Sequence, residues 1–354
     1  MKAVSIKNKV LETPIIQGGM GIGVSRCGLA GAVAKEGGMG VVSTAQIGYD
    51  APDFRSHPEE ANLCVLPGQI RKAKEMAEGH GMIGVNIMAV TQRYGEYVQT
   101  ACEAGVDAII SGAGLPTELP KFAEGYDAAL APIVSSAKSA KVILKYWDRK
   151  YKRTADFLVI EGPKAGGHLG FSREELEDGG PWDYDTEIHK ILEEKRKFEE
   201  KYQTAIPVFV AGGIFDAEDV QHALELGADG VQVASRFVAT RECDASDAYK
   251  RAYVEARTED VVIIDSPVGM PGRALKNAFI EEITGKSQKI SHCFHCLKAC
   301  NPASAHYCIT QALINAVKGD LDHGLIFCGS RVGEIGKIST VKAVMQELSR
   351  EENS

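Results

Sequence analysis

Long hydrophobic runs and an excess of basic residues are both missing from this chain. No stretch approaches the ~20 apolar residues of a membrane span, and the basic amino terminus, Met1–Val10, is not followed by an apolar run of signal-peptide length. We therefore expect a cytoplasmic protein without a membrane segment. The formal net charge of −8 disfavours nucleic acid and anionic membranes as partners, because both attract basic surfaces. A small-molecule substrate is the expected partner, and the sequence leaves open whether the chain forms a homodimer.

Internal repeats and low-complexity tracts are also absent, so the length must be explained by packed domains. With 354 residues and 44% hydrophobic content, one large core plus an appendage fits better than several small domains. Short apolar runs rich in β-branched residues recur between stretches of helical periodicity, which predicts a parallel sheet. The predicted fold is a closed (β/α)8 barrel, the TIM barrel, with a doubly wound sheet as the alternative. The predicted strands are Ile15–Gln17, Gly40–Ser43, Ile83–Met88, Ala108–Ser111, Ala129–Val134, Phe157–Glu161, Val208–Ala211 and Val231–Ala234.

The alternation of strand and helix patterns stops near residue 245. We therefore predict a barrel over residues 1–245 and an extension over residues 246–354 that packs on it, with a Cys-rich segment at 292–308. The predicted helices of the barrel are Gly28–Lys35, Pro67–Glu78, Tyr94–Ala104, Ser136–Tyr151, Glu187–Tyr202 and Ala217–Leu226.

Glycine and polar residues follow the predicted strands at their carboxyl ends, where barrels of this kind carry their active sites. Strand seven ends in Ala211-Gly-Gly213, and strand eight ends in Ala234-Ser-Arg236. Glycines leave backbone N–H groups accessible, and a hydroxyl and a guanidinium can add hydrogen bonds. This pair of loops predicts a phosphate site, with a simple tight turn as the alternative for the two glycines.

At this point five ordered motifs resemble the nitronate monooxygenase family, formerly the 2-nitropropane dioxygenases, over about residues 13–279. That family shares its fold with the FMN-dependent enoyl-acyl-carrier-protein reductases. The matching motifs are Pro14-Ile-Ile-Gln-Gly-Gly-Met20, Gly84-Val-Asn86, Ala165-Gly-Gly-His168, Ala211-Gly-Gly213 and Gln232-Val-Ala-Ser235.

The resemblance implies an FMN cofactor and supplies most of its contact residues. Glu161 stands where the nitronate enzymes often carry glutamine, and a carboxylate beside a flavin would alter the electronics of the ring. The predicted cofactor-binding residues are Gly19, Met20, Asn86, Glu161, Gly166, Gly167, Gly212, Gly213, Gln232, Val233, Ala234 and Ser235.

His168 is the predicted catalytic residue. It follows two glycines after strand six, and an imidazole with a near-neutral pKa suits proton transfer or substrate orientation. The predicted activity is that of an FMN-dependent oxidoreductase, a nitronate monooxygenase-like enzyme that oxidises a nitronate or nitroalkane. Two alternatives stay open: an NAD(P)H-dependent enoyl thioester reductase, and a non-catalytic metal- or flavin-binding regulatory barrel. NAD(P)H also stays open as a transient reductant, because barrel flavoenzymes can bind it without a Gly-x-Gly-x-x-Gly motif.

Four cysteines crowd into the extension at Cys293, Cys296, Cys300 and Cys308. Their spacing of two, three and seven intervening residues can enclose an iron–sulfur cluster or a tetrahedral zinc ion. His292, His295 and His306 lie beside them and keep zinc open. Free thiols without a metal are the third interpretation.

Overall fold

A closed barrel of eight parallel strands forms the centre of the chain in the computed structural model, which describes residues 1–177 and 183–350. This confirms the predicted TIM barrel. An antiparallel hairpin of β1 (Val4–Ile6) and β2 (Lys9–Leu11) precedes it. The barrel strands are β3 (Ile15–Gln17), β4 (Met39–Ser43), β5 (Met82–Met88), β6 (Ala108–Gly112), β7 (Ala129–Val134), β8 (Leu158–Glu161), β10 (Val208–Ala211) and β11 (Gly230–Val233). Between β8 and β10 the chain forms β9 (Gly167–His168), which lies outside the barrel.

The barrel strands are buried on both faces, which explains why they read as continuous apolar runs. Successive side chains point to opposite faces of a strand. In β3, Ile15 packs outward with the helices, while Ile16 packs into the barrel interior. In β4, Val41 faces the interior and Val42 faces the helices. The interior of the barrel is therefore a packed core rather than an open channel.

Helices connect the strands, and all six predicted helices are present. Two begin three or more residues earlier than predicted: α7 starts at Tyr184 instead of Glu187, and α2 starts at Pro58 and contains Pro67 within it. Pro58 stands in the first turn of α2, where proline is favoured. The negative charges of Glu59 and Glu60 in the same turn stabilise the helix by interacting with the positive end of its dipole. These favourable interactions at the start of α2 outweigh the loss of the backbone hydrogen bond that Pro67 cannot donate. The helices up to β11 are α1 (Cys27–Lys35), α2 (Pro58–Ala77), α3 (Tyr94–Glu103), α4 (Leu119–Phe122), α5 (Ala137–Tyr151), α6 (Arg173–Glu177), α7 (Tyr184–Tyr202) and α8 (Ala217–Glu225).

After β11 the chain passes over the carboxyl ends of the strands before it returns to the outer ring. Strands β12 (Val261–Asp265) and β13 (Pro271–Leu275) form an antiparallel sheet with β9. The remaining helices are α9 (Ser235–Val238), α10 (Asp247–Glu255), α11 (Ala278–Ile283), α12 (Ile309–Lys318) and α13 (Val341–Leu348). None of the described helices is long and apolar enough to cross a membrane.

The last helix, α13, packs on the barrel itself. It contacts α1, α8 and α9, and its Val344 and Leu348 join the same apolar cluster as Leu29 and Val33 of α1. The predicted division at residue 245 stays a prediction, and residues 351–354 of the predicted extension lie outside the described residues.

Candidate active site

A cavity of about 260 Å³ opens at the carboxyl ends of the barrel strands. The structure brings every residue of the sequence-predicted flavin site together around it. Its walls include residues that follow six of the eight barrel strands, and others that come from the extension. The predicted residues lining it are Gly19, Met20, Asn86, Glu161, Gly166, Gly167, His168, Gly212, Gly213, Gln232, Val233, Ala234 and Ser235.

One end of the cavity is built from the loops after β10 and β11. Gly213 has φ of +88°, in the left-handed region that favours glycine, so the chain turns sharply here. A Cβ atom at this position would lie 2.9 Å from Cδ of Lys164, which extends over the loop. On the neighbouring loop, the Ser235 hydroxyl accepts a hydrogen bond from the backbone N–H of Gly329 at 2.9 Å. The two loops form a polar pocket in which an anionic group can meet backbone and hydroxyl donors.

The segment from Phe327 to Arg331 also lines this end, and the sequence interpretation missed it. The backbone N–H of Ser330 donates to the carbonyl oxygen of Lys164 at 3.2 Å. The Oγ atom of Ser330 is buried and has no hydrogen-bond partner among the described residues. The sequence gives one weak indication that this segment belongs to the site: Gly329-Ser-Arg331 resembles Ala234-Ser-Arg236 in composition. That likeness gains meaning only from the tertiary contact between the two segments.

Two arginines enclose Phe215 beside the same loops. The guanidinium carbons of Arg236 and Arg331 lie 4.6 and 4.8 Å from the centre of its ring. Arg236 also forms an ion pair with Glu347 and donates a hydrogen bond to the carbonyl oxygen of Phe215. The guanidinium that the sequence predicted at the phosphate site therefore already has protein partners. Arg331 pairs with acidic residues of its surroundings in the same way, namely Asp216, Asp219 and Glu334.

The Gly166-Gly-His168 segment also lines the cavity, where Gly166 lies against the backbone of Cys328 and Gly329. Gly167 has φ of +73°, and a Cβ atom there would meet nothing within 4 Å. The backbone at this point therefore borders open space that a flat ring can approach closely. Its neighbours are fixed because β9 pairs with β13, with Gly167 opposite Arg273 and His168 opposite Gly272.

His168 is held by two contacts from the extension. Its Nε2 atom lies 2.8 Å from the Ser266 hydroxyl, and its ring meets Phe327 edge to face at 4.9 Å between centroids. Burial lowers the pKa of His168 to about 4, because desolvation disfavours the charged imidazolium. The side chain is therefore neutral at physiological pH, which suits orientation of a substrate better than the storage of a proton.

Glu161 ends β8 and also lines the cavity. One carboxyl oxygen, Oε2, accepts a hydrogen bond from the backbone N–H of Gly170 at 3.0 Å. Burial raises the pKa of Glu161 to about 7, although the Gly170 hydrogen bond and the positive charge of Arg273 both act to lower it. A carboxyl group with this pKa can both accept and release a proton near neutral pH.

The four cysteines of the extension do not form the predicted metal site. Within residues 1–177 and 183–350, no group of three or more His, Cys, Asp or Glu side chains is placed to hold a metal ion. The Cys293 sulfur accepts a hydrogen bond from the backbone N–H of His295 at 3.4 Å. Burial raises the pKa of the Cys296 thiol to about 11 and also raises the pKa values of Cys300 and Cys308. The predicted iron–sulfur cluster or zinc ion is therefore not supported by the placement of these side chains.

Comparisons with known proteins agree with this architecture. The sequence matches the nitronate monooxygenase family over residues 4–351. A hydroxy-methyl-oxo-octahydroindene-carboxyl-CoA dehydrogenase of Mycobacterium tuberculosis is 27% identical over 278 residues, which cover 78% of this chain and 67% of that protein. A probable nitronate monooxygenase of Staphylococcus saprophyticus is 24% identical, with 79% of this chain and 80% of that protein covered.

Among solved structures, FabK from Thermotoga maritima superposes with a TM-score of 0.70 at 27% identity. The match covers 96% of this chain and 92% of FabK. The family match spans nearly the whole chain and includes every residue of the cavity. The chain is therefore an oxidoreductase and belongs to the nitronate monooxygenase family.

Proposed function

We propose that this protein is an FMN-dependent oxidoreductase that oxidises nitronates. The observation that carries the proposal is the single cavity that joins the polar loops after β10 and β11 to His168 and Glu161. Membership of the nitronate monooxygenase family supports the same reaction class and stands against the non-catalytic alternative.

The residues of the cavity fit FMN. The buried hydroxyl of Ser330 lacks a partner among the described residues, and the phosphate of FMN would supply an acceptor for it. Gly213 and Ser235 would add a backbone donor and a second hydroxyl. The open space beside Gly167, bordered also by Asn86, would take the isoalloxazine ring. When bound, FMN would supply the electron acceptor for the substrate.

His168 would orient the substrate in this cavity. Because the imidazole is neutral, one ring nitrogen is a donor and the other an acceptor. Ser266 engages Nε2, and this contact together with the Phe327 ring restricts rotation of the imidazole. A fixed neutral imidazole can hold a nitro or nitronate oxygen through a hydrogen bond without adding a charge.

Replacement of Ser330, whose buried hydroxyl lacks a partner among the described residues, tests the FMN assignment. In Ser330→Ala we expect the Kd for FMN to rise about 10- to 150-fold, since a hydrogen bond to a charged group contributes about 1.5–3 kcal/mol. Fluorescence titration of the unliganded protein measures it, with Ser5→Ala in the exposed hairpin as the matched control. Wild-type protein that binds no FMN, or FMN-loaded protein that consumes no oxygen with ethyl nitronate, would refute the proposed function.

Reduction of an enoyl thioester is the second candidate. It is favoured by the likeness to FabK at 27% identity, and by a relative that is named as a dehydrogenase of a CoA thioester. This activity predicts oxidation of NAD(P)H under nitrogen only after an enoyl thioester is added. Ethyl nitronate and an enoyl thioester assayed side by side separate the two reactions.

A further inference from the structure

We propose that the outer face of helix α5 is a docking surface for a separate protein that presents an acidic helix. The surface consists of five exposed cations, of which the last is the residue that caps the carboxyl end of the helix. We call them the basic stripe: Lys138, Lys141, Lys145, Arg149 and Lys152. They do not line the cavity, and the proposal does not depend on the proposed function.

The basic stripe runs along the solvent side of α5. Its members recur every three or four residues, which places them on one side of an α-helix. The opposite side of α5 is buried against the barrel through Ala140, Ile143, Leu144 and Trp147. At 1.5 Å per residue, the stripe extends for about 21 Å along an open surface.

Neighbouring carboxylates do not balance the charges of the stripe. Within residues 1–177 and 183–350, none of its five cations forms an ion pair with an acidic residue. Asp148 is the one acidic residue of α5, and its two oxygens accept from Nζ of Lys201 at 2.6 and 2.7 Å. On the adjacent α7, by contrast, Lys190 and Lys197 each pair with a glutamate three residues earlier. The stripe is thus a local excess of positive charge on a chain whose formal net charge is −8.

The stability of α5 does not account for the stripe. Cations near the carboxyl end of a helix interact favourably with its dipole, which explains Arg149 and Lys152. Lys138 lies in the first turn, where the same dipole disfavours a positive charge. Lys141 and Lys145 are four residues apart on the helix and repel each other. A partner with negative charges would offset these unfavourable interactions.

The width of the stripe indicates the kind of partner. Helices α4 and α7 contact α5, and packed helices lie about 8–10 Å apart. Exposed glutamates stand on these neighbours, with Glu118 before α4 and Glu193 and Glu200 on α7. A flat anionic membrane or a nucleic-acid duplex is wider than the stripe and would also meet those carboxylates, which repel it. An α-helix is about 10–12 Å wide and fits the stripe alone.

The spacing of the cations also matches a helix. They recur about once per helical turn, and carboxylates three or four residues apart on a partner helix have the same spacing. Val142 lies beside Lys141 and is 46% exposed, which is unusual for a large hydrophobic residue of this chain. Protein interfaces combine apolar contacts with a charged rim, so Val142 favours a protein partner.

Binding of a designed acidic helix tests the proposal. The probe is a fluorescein-labelled peptide of about 18 residues, with one glutamate per turn on a single face, one leucine beside them and alanine elsewhere. Fluorescence anisotropy of the probe with the full chain, in about 50 mM KCl, measures the Kd. In Lys141→Glu/Lys145→Glu we expect the Kd to rise about 10-fold or more, because two attractive contacts become repulsive.

A second double variant is the matched control. Lys190→Glu/Lys197→Glu on α7 makes the same change in net charge at two exposed lysines. It should change the Kd by no more than about 2-fold, because salt screens charges that lie beyond the Debye length. Circular dichroism melting verifies that both variants fold. If the charge reversal prevents folding, Lys141→Gln/Lys145→Gln allows the same comparison.

Four outcomes would overturn the inference. The wild type could fail to bind the probe, or it could bind equally well an isomeric peptide whose glutamates are spread around the helix. An equal rise of the Kd in both double variants would show that only the net charge matters. Tighter binding of a DNA duplex or of phosphatidylglycerol vesicles through the same lysines would show that the partner is not a protein.

Carbodiimide cross-linking locates the contact directly. This reagent joins lysine amines to carboxylates that lie beside them, and mass spectrometry identifies the joined residues. The probe should be attached to Lys138, Lys141 or Lys145. Attachment mainly to Lys190 and Lys197 of α7 would contradict the proposal.

Discussion

Burial acts in opposite directions on the pKa values of two ionisable side chains that line the cavity, Glu161 and His168. Desolvation disfavours charge of either sign, so it raises the pKa of Glu161 to about 7 and lowers the pKa of His168 to about 4. At neutral pH the histidine is uncharged and the carboxyl group is divided between its two forms. The cavity thus contains one group that holds position and one that exchanges a proton.

The raised pKa of Glu161 predicts a pH-dependent cost to folding. Well below pH 4.5 the carboxyl group is protonated in the folded and the unfolded chain, so it contributes no difference. Between about pH 4.5 and about pH 7 the unfolded chain ionises while the folded chain stays largely protonated, so stability is lost over this range and levels off above it. Relative to Glu161→Gln, the free energy of unfolding of the unliganded wild type should fall by about 3 kcal/mol between about pH 4 and pH 8.5.

Urea unfolding at the two pH values measures this difference, and the exposed Glu12→Gln should track the wild type at both. An equal gap between wild type and Glu161→Gln at both pH values would contradict the raised pKa.

At the scale of elements, α13 completes the ring of helices. Its first turn is fixed by Thr340, whose hydroxyl accepts from the N–H of Ala343 at 3.2 Å, and by Glu242, which accepts from the N–H of Val341 at 3.0 Å. Leu348 is 1% exposed within the barrel cluster. Through Glu347, the same helix also holds Arg236 beside the polar end of the cavity.

Leu348→Ala should therefore destabilise the whole barrel. Loss of a buried leucine side chain costs about 2–5 kcal/mol, because the removed methyl groups leave a cavity. Thermal and urea unfolding measure the effect, and Gln346→Ala on the exposed face of α13 is the matched control. A loss below about 1 kcal/mol would show that the helix frays from the barrel in solution.

The sequence predicted the barrel elements well because their signals are local. Each strand is a short apolar run, and helix periodicity places α3 and α8 within a residue of their observed ends. The wall formed by Phe327–Arg331 could not be predicted, since its role depends on contacts with Lys164 and Ser235 that are distant in sequence. Likewise, the family resemblance and the positions at strand ends predicted the glycines and His168 of the cavity, but only burial reveals that the histidine is neutral.

At the scale of the whole molecule, the cavity is shared between the barrel and the part of the chain that follows it. Ser266 anchors His168, Phe327 packs on its ring, and Ser330 lines the polar end. A chain ending at residue 245 would lack all three, and it would uncover the apolar side chains of α1 that α13 covers.

We therefore expect the fragment 1–245 to be insoluble or to unfold without a cooperative transition, and to bind no FMN. Expression of the fragment beside the full chain, followed by circular dichroism melting and FMN titration, measures this. A soluble fragment with a sharp transition would instead establish residues 1–245 as an independent domain.

The position of α13 also bears on the order of events during synthesis. Because this helix lies against α1, the first and last of the described helices are neighbours, and the groove lined by Leu29 and Val33 stays open until residue 348 has emerged from the ribosome. Until that point the growing chain presents an apolar groove that molecular chaperones can shield.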